Sequence, residues 1–194
     1  KTPAKCILIK KMCSNKSSTN TNLHSQNESL CIWGSAMPSI RRATLADLSA
    51  ICLLGNDVNR LHHEVWPHLF SAVSELERDA AHWRYGIEHA GCFIAEDNAG
   101  VVGFITGQIC LDESTMLVKM SYCRIWTVCV APTRRGQGIG QRLMAELENW
   151  AHGEQAAEIR LNVFAFNHRA IKLYQELGFA TRSMTMGKQL PSNA

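Results

Sequence analysis

Ala131-Pro-Thr-Arg-Arg-Gly-Gln-Gly-Ile-Gly140 follows an apolar run ending Val128-Cys-Val130. It precedes a stretch, Gly138 to His152, in which Ile139, Leu143, Leu147 and Trp150 fall on one helical stripe. Strand, glycine turn and amphipathic helix, in that order, decide the reading of the chain. Glycines at 136, 138 and 140 let the backbone turn tightly and remove Cβ atoms from a ligand's path. The first N–H groups of a helix have no intrahelical acceptor, and the helix dipole favours an anion beside them. Arg134 and Arg135 can add charge-assisted hydrogen bonds. The ligand that suits this chemistry carries phosphate. A Walker loop is excluded because no Lys-Ser or Lys-Thr follows the glycines. A dinucleotide fingerprint fails because Gln141 holds the place of its third glycine, and Ile159 and Arg160 lie where its acid belongs. Taken alone, Gly-x-Gly also fits a surface turn that binds nothing.

Working outward, Ile159, Leu161 and Val163 alternate as a strand, and Asn167 caps a helix running to about Leu177. Gly178 takes the position just past that helix, and Phe179 begins a last strand. Upstream, Ser39 to Arg42 suits a short strand, and Thr44-Leu-Ala-Asp47 resembles a capping motif with Asp in place of Glu. Leu48, Ile51, Cys52, Val58 and Leu61 follow helical spacing until Trp66-Pro67 interrupts, and a second helix covers Ala72 to His89. Cys92 to Ala95 is strand-like, Asp97 to Gly100 is a turn, and Val101 to Cys110 completes a hairpin. A loop with Asp112 and Glu113 leads to a strand over Met120 to Val130. The succession β-α-α-β-β-β-α-β-α-β predicts an α/β (α+β) fold with a mixed central sheet and helices on its faces.

These residues resemble the GNAT superfamily of N-acetyltransferases. Its pattern [Q/R]-x-x-G-x-[G/A] is met by Arg135, Gly138 and Gly140 directly after a strand. Its later signature is met by Leu161-Asn-Val-Phe-Ala-Phe-Asn167-His-Arg-Ala-Ile-Lys-Leu-Tyr174-Gln-Glu-Leu-Gly-Phe179. The likeness covers about Ser39 to Leu190 and is sharp from Thr127 to Phe179. It implies a mostly antiparallel sheet, acetyl-CoA as co-substrate, and direct transfer to an amine. It places Val128, Cys129 and Val130 along the pantetheine arm, and the amides of Arg135, Gly136, Gln137, Gly138, Ile139 and Gly140 on the pyrophosphate. Asn167 matches a residue that hydrogen-bonds the cofactor, and helix capping explains it equally well. Tyr174 matches the general acid that protonates the leaving thiolate, and the alternative is a core aromatic on the face shared with Ala170 and Ile171.

Many relatives carry a Glu on the strand before the turn to deprotonate the amine. Spacing from the turn puts Arg124 there, and an arginine is no base at ordinary pH. Glu113, Asp112, His63 and Glu64 are the other candidates, with solvent as the fallback. A main-chain N–H near Cys129 is expected to donate a hydrogen bond to the tetrahedral oxyanion. His62, His63, Glu64 and His68 lack the His-Glu-x-x-His spacing of a zinc site, so no metal is expected. Trp66, Pro67 and Phe70 line the acceptor pocket or close the core.

The chain has 194 residues, 46% of them hydrophobic, which suits one domain with a real core. Its net charge of +3 is concentrated in Lys1 to Ala36, where five lysines face a single acid, Glu28. That leaves 15 basic and 16 acidic residues from Met37 onward, a balance that disfavours nucleic acid as a partner. No apolar run approaches the ~18 residues of a membrane helix. None of the eight cysteines forms a Cys-x-x-Cys pair, so they read as small buried hydrophobes in a reducing cytoplasm. Residues 1–36 read as a disordered leader or upstream remnant, and 37–194 as the N-acetyltransferase domain. The acceptor is a small-molecule or peptide amine, with small molecules favoured because the body lacks a charge patch for a protein tail. The competing reading is a CoA-binding regulatory module without turnover, which Arg124 supports. Homodimers are frequent among look-alike proteins, and a homodimer is the expected assembly.

Overall fold

The apolar residues of the described strands and of the long helices form two core clusters, one on each face of a sheet. Ser39–Arg42 (β1) pairs antiparallel with Gly91–Asp97 (β2), setting Ile40 opposite Ala95 and Arg42 opposite Phe93. The computed structural model describes residues 37–71 and 76–190. The expected leader at 1–36 and the expected helix start at 72–75 lie outside the described residues. A tight turn closed by Ala99 N–H on Asp97 Oδ1 (2.8 Å) leads to Gly100–Leu111 (β3), antiparallel to β2. Ser121–Val130 (β4) runs antiparallel to β3, and Glu158–Leu161 (β5) runs parallel to β4, so the sheet order is β1-β2-β3-β4-β5. The mixed, mostly antiparallel sheet read from the sequence is the sheet observed.

Leu48–Val65 (α1) and Leu76–His89 (α2) cover one face, with Ile51, Trp83, Ile94 and Phe104 in the core beneath them. Ile139–Gly153 (α3) covers the other, and its stripe of Ile139, Leu143 and Leu147 is at most 1% exposed. This helix is also the crossover that a parallel β4–β5 pair requires. His168–Glu176 (α4) lies on the same side and contributes Tyr174 to that core.

The chain enters α1 through a closed cap. Asp47 accepts the Thr44 N–H at 2.8 Å and the Thr44 hydroxyl at 3.0 Å. Arg41 grips both Asp47 oxygens at 2.8 and 2.9 Å and also binds Glu96 at 2.8 Å. The Arg41 guanidinium is the main reason the Asp47 carboxyl is held down to about 2.

The strand expected from Phe179 is not formed. Gly178 and Phe179 close α4 instead: their N–H groups return to Gln175 O (3.0 Å) and Tyr174 O (2.9 Å), with Gly178 at φ +88°. Beyond them Met184, Met186 and Leu190 are more than four-fifths exposed, so nothing draws this stretch into the sheet. Arg182 ties it to Glu158 at 2.7 Å. The strand expected to reach Val163 also stops at Leu161.

Candidate active site

The register of the sheet opens a gap at one place. β4 and β5 pair from Tyr122 with Glu158 to Ile125 with Leu161, and β4 then runs on from Trp126 to Val130 with no strand partner on that side among the described residues. A bulge helps set the point of separation: Thr106 pairs Thr127 and Gly107 pairs Ile125, leaving Trp126 as the extra residue. Ala131 N–H donates to Val102 O at 2.8 Å, so the backbone groups of Ala131 and Cys129 face β3. By the alternation of a strand, those of Val128 and Val130 face the opened side. The main-chain N–H expected near Cys129 therefore has to come from a neighbour, because Cys129 directs its own toward β3.

The turn begins where β4 ends. Gly136 and Gly138 sit at φ +82° and +75°, a region that favours glycine, and Gly138 is the residue before α3. Among the described residues, the N–H groups of residues 136–141 make no hydrogen bond to any protein group. A run of amides at a helix start, uncapped by side chains, is an anion-binding arrangement.

The arginines are deployed differently from expectation. Arg134 turns to Asp97 (2.6 Å), a contact that is close but not aligned as a hydrogen bond. Arg135 donates Nε–H to Val130 O at 2.9 Å, occupying one acceptor on the opened edge. Arg169 was not singled out in the sequence and stands nearer the turn: its Nη2 lies 3.6 Å from where a Gly136 Cβ would be. It has no carboxylate partner among the described residues. A basic residue in the first turn of a helix opposes the helix dipole, which was the available signal.

α4 closes the site from the side. A Cβ on Gly140 would meet Leu173 Cδ2 at 3.6 Å and Val130 Cγ2 at 3.9 Å, so the turn, β4 and α4 converge there. Asn167 caps α4, its Oδ1 accepting the Ala170 N–H at 3.1 Å. Tyr174 is half-buried, its ring 5.8 Å from that of Phe179, and burial raises its hydroxyl pKa, which keeps it protonated. The hydroxyl has no hydrogen-bond partner among the described residues. Cys129 is 3% exposed and donates Sγ–H to Leu54 O at 3.3 Å, and burial pushes its thiol up to about 11.

The candidate bases separate by their commitments. Asp112 is bound by Arg160 at 2.9 Å, which holds its carboxyl below the usual range. His63 Nδ1 lies 2.7 Å from Phe70 O; a carbonyl only accepts, so Nδ1 carries the proton and Nε2 of the neutral ring keeps a lone pair. Glu64 and Glu113 are exposed. Arg124 lies over the Trp126 ring at 4.8 Å. His62 stacks on Phe70 at 4.9 Å and meets the edge of Phe164 at 5.0 Å, so Phe70 and Trp66 join the loop after β5 in one aromatic cluster. Burial lowers the His62 pKa. Among the described residues no group of three or more metal-ligating side chains converges. No described helix is long and apolar enough to cross a membrane.

Known proteins are similar to this chain in sequence and in fold. The chain is 30% identical over 175 residues to a mycothiol acetyltransferase of Mycobacterium avium, covering 82% of this chain and 52% of the relative. It thus spans about half the length of the mycothiol acetyltransferases it matches. A 56-residue segment is 39% identical to YdgE, an uncharacterized N-acetyltransferase of Bacillus subtilis, covering 29% of this chain and 36% of that one. A mutant of the BH1408 protein from Bacillus halodurans shares the fold with TM-score 0.73 at 23% identity, over 79% of this chain and 99% of that one. The aminoglycoside N-acetyltransferase AAC(6')-Iy in complex with CoA does so with TM-score 0.64 at 20% identity, over 83% and 99%. The family model described as acetyltransferase (GNAT) matches residues 57–179, which include both the glycine turn and the Asn167–Phe179 signature. The chain belongs to the GNAT acetyltransferase family.

Proposed function

We propose that this protein transfers the acetyl group of acetyl-CoA directly to the amine of a small molecule. The observation that carries the reading is the run of unpartnered amides at residues 136–141, set beside the point where β4 outruns β5. Those amides, with Arg169 beside them, suit a pyrophosphate. The backbone groups of Val128 and the N–H of Val130 suit the amides of a pantetheine arm lying along the open edge. The relatives' names, mycothiol acetyltransferase and aminoglycoside N-acetyltransferase, support a small-molecule acceptor.

In the proposed reaction the acceptor's ammonium first loses a proton, to water or to His63 Nε2. The nitrogen lone pair then forms the bond to the thioester carbon, and the carbon–sulfur bond breaks. The sulfur leaves as a thiol after taking the Tyr174 hydroxyl proton, and the second amine proton restores Tyr174 through solvent. One amide, one thiol and one proton result. Val128 or Val130 supplies the N–H that faces the developing oxyanion. Cys129 plays no covalent part, because a buried thiol held near pKa 11 is not a nucleophile at neutral pH.

The competing reading, a CoA-binding regulatory module, draws on Arg124 in the place of a catalytic acid. Calorimetric titration with acetyl-CoA, paired with thiol release across a panel of amines, separates the two. Binding together with thiol release supports the transferase; binding with no release for any amine supports the module.

A further inference from the structure

On the α2 side of the sheet a cavity of about 230 Å³ lies between α2, β3 and β4, lined by Trp83, Tyr85, Gly86, Thr106, Gln108 and Trp126 among others. It is larger than the roughly 150 Å³ that accommodates a benzene ring in a protein interior. Its walls are mainly aromatic and apolar, and among the described residues they include no carboxylate. One polar group is unaccounted for: the Thr106 hydroxyl belongs to a residue 3% exposed and has no hydrogen-bond partner among the described residues. A buried hydroxyl left unpaired costs free energy unless a ligand or water meets it. Gly86 keeps the cavity open from the helix side, since a Cβ there would reach toward the Thr106 methyl at 3.7 Å.

The cavity borders the opened sheet. Trp126 lines it and is also the bulge residue, the first of β4 without a β5 partner. Over the same indole, at 4.8 Å, stands the Arg124 guanidinium, paired across the sheet with Gln108 of the cavity wall. Its other neighbour in register, Arg160, is neutralised by Asp112 and Glu158. Arg124 has no carboxylate partner among the described residues. An apolar slot for a ring, a guanidinium with no carboxylate partner among the described residues and the opening between β4 and β5 therefore meet at one residue, Trp126.

We propose that this cavity is the acceptor subsite and that the acceptor is an aromatic α-amino acid. Its ring enters the cavity, its carboxylate binds Arg124 and its amine faces the gap beside Trp126. The inference rests on the transferase reading above and names the substrate class for that site. Arg124, unable to act as a base, is thereby a specificity residue. A polycationic acceptor is disfavoured, because among the described residues the charge beside the cavity is the Arg124 guanidinium.

The test follows thiol release from acetyl-CoA with tryptophan, tryptophanamide, tryptamine and spermidine. With the unaltered protein, kcat/KM for tryptophan should exceed that for tryptophanamide and tryptamine by about 10-fold or more, the worth of one charge-assisted hydrogen bond. The amide's amine is the least basic of the three, so proton availability works against the expected order between acid and amide. Arg124→Gln should erase the preference, and Arg124→Lys, which keeps the charge, should retain part of it. Equal turnover of acid and amide by the unaltered protein, or a preference for spermidine, would overturn the inference and leave the transferase reading intact. Acetyl-CoA binding with no thiol release for any amine would overturn both.

Discussion

The chain enters α1 and α3 in opposite ways. Before α1, Thr44 and Asp47 satisfy one another, and Arg41 and Glu96 lock the carboxylate from the neighbouring strands. Before α3, Gly136 and Gly138 adopt left-handed backbone, no side chain caps the helix, and residues 136–141 keep their N–H groups unspent. The first start is tied down by the protein's own side chains, while the second leaves its donors open to a ligand. Capping residues and glycines are thus two different statements about a helix: one contributes to stability, the other keeps donors available.

The sharpest way to break this contrast is Gly138→Glu. A side chain at φ +75° is strained whatever the space, and a carboxylate there repels an anion. CoA affinity should fall by about 100-fold or more, measured by calorimetry, with the circular dichroism of the folded protein retained. Next, if the open start only aims the ligand, chemistry should be separable from binding. Tyr174→Phe should reduce turnover by about 100-fold and leave CoA affinity nearly unchanged, and unaltered turnover would return Tyr174 to a packing role. Smaller still, Arg169→Ala should weaken CoA by about 10-fold, with the loss shrinking as salt is raised.

The control belongs to the closed start. Asp47→Asn should leave CoA affinity untouched and cost about 1–2 kcal/mol of stability in a denaturant titration. The sign with pH follows from the folded carboxyl lying near 2, below its ordinary 3.8. Its contribution is complete above about pH 4 and is lost as pH falls toward 2, so the variant should lose the acid limb of the stability profile that the parent shows.

Both helix starts were legible from the residues, because capping and glycine chemistry are local. So were the hairpin at Asp97–Gly100 and the stripe of α3, which follow from periods of two and 3.6. Contacts set by tertiary approach were not. Arg134 was read as a phosphate partner, but the fold brings Asp97 to it from another strand. Arg169 reaches the turn only because α4 folds back across Gly140. The expected strand after Phe179 had a plausible pattern, yet no neighbour in the described structure buries Met184 or Met186. Asn167 shows the intermediate case: its cap was foreseen, and the cap commits its oxygen without deciding what its amide nitrogen does.

Cys129 lies on the strand along which the proposed thioester would be threaded. A thiolate at that position would exchange with the thioester and take the acetyl group for the protein itself. Its bond to Leu54 O and the burial that pushes it up to about 11 keep the sulfur protonated, while Cys92 and Cys123 in the same sheet are pushed up to about 12. In the proposed reaction these three buried thiols would stay protonated and would not compete with an incoming amine for the acetyl group.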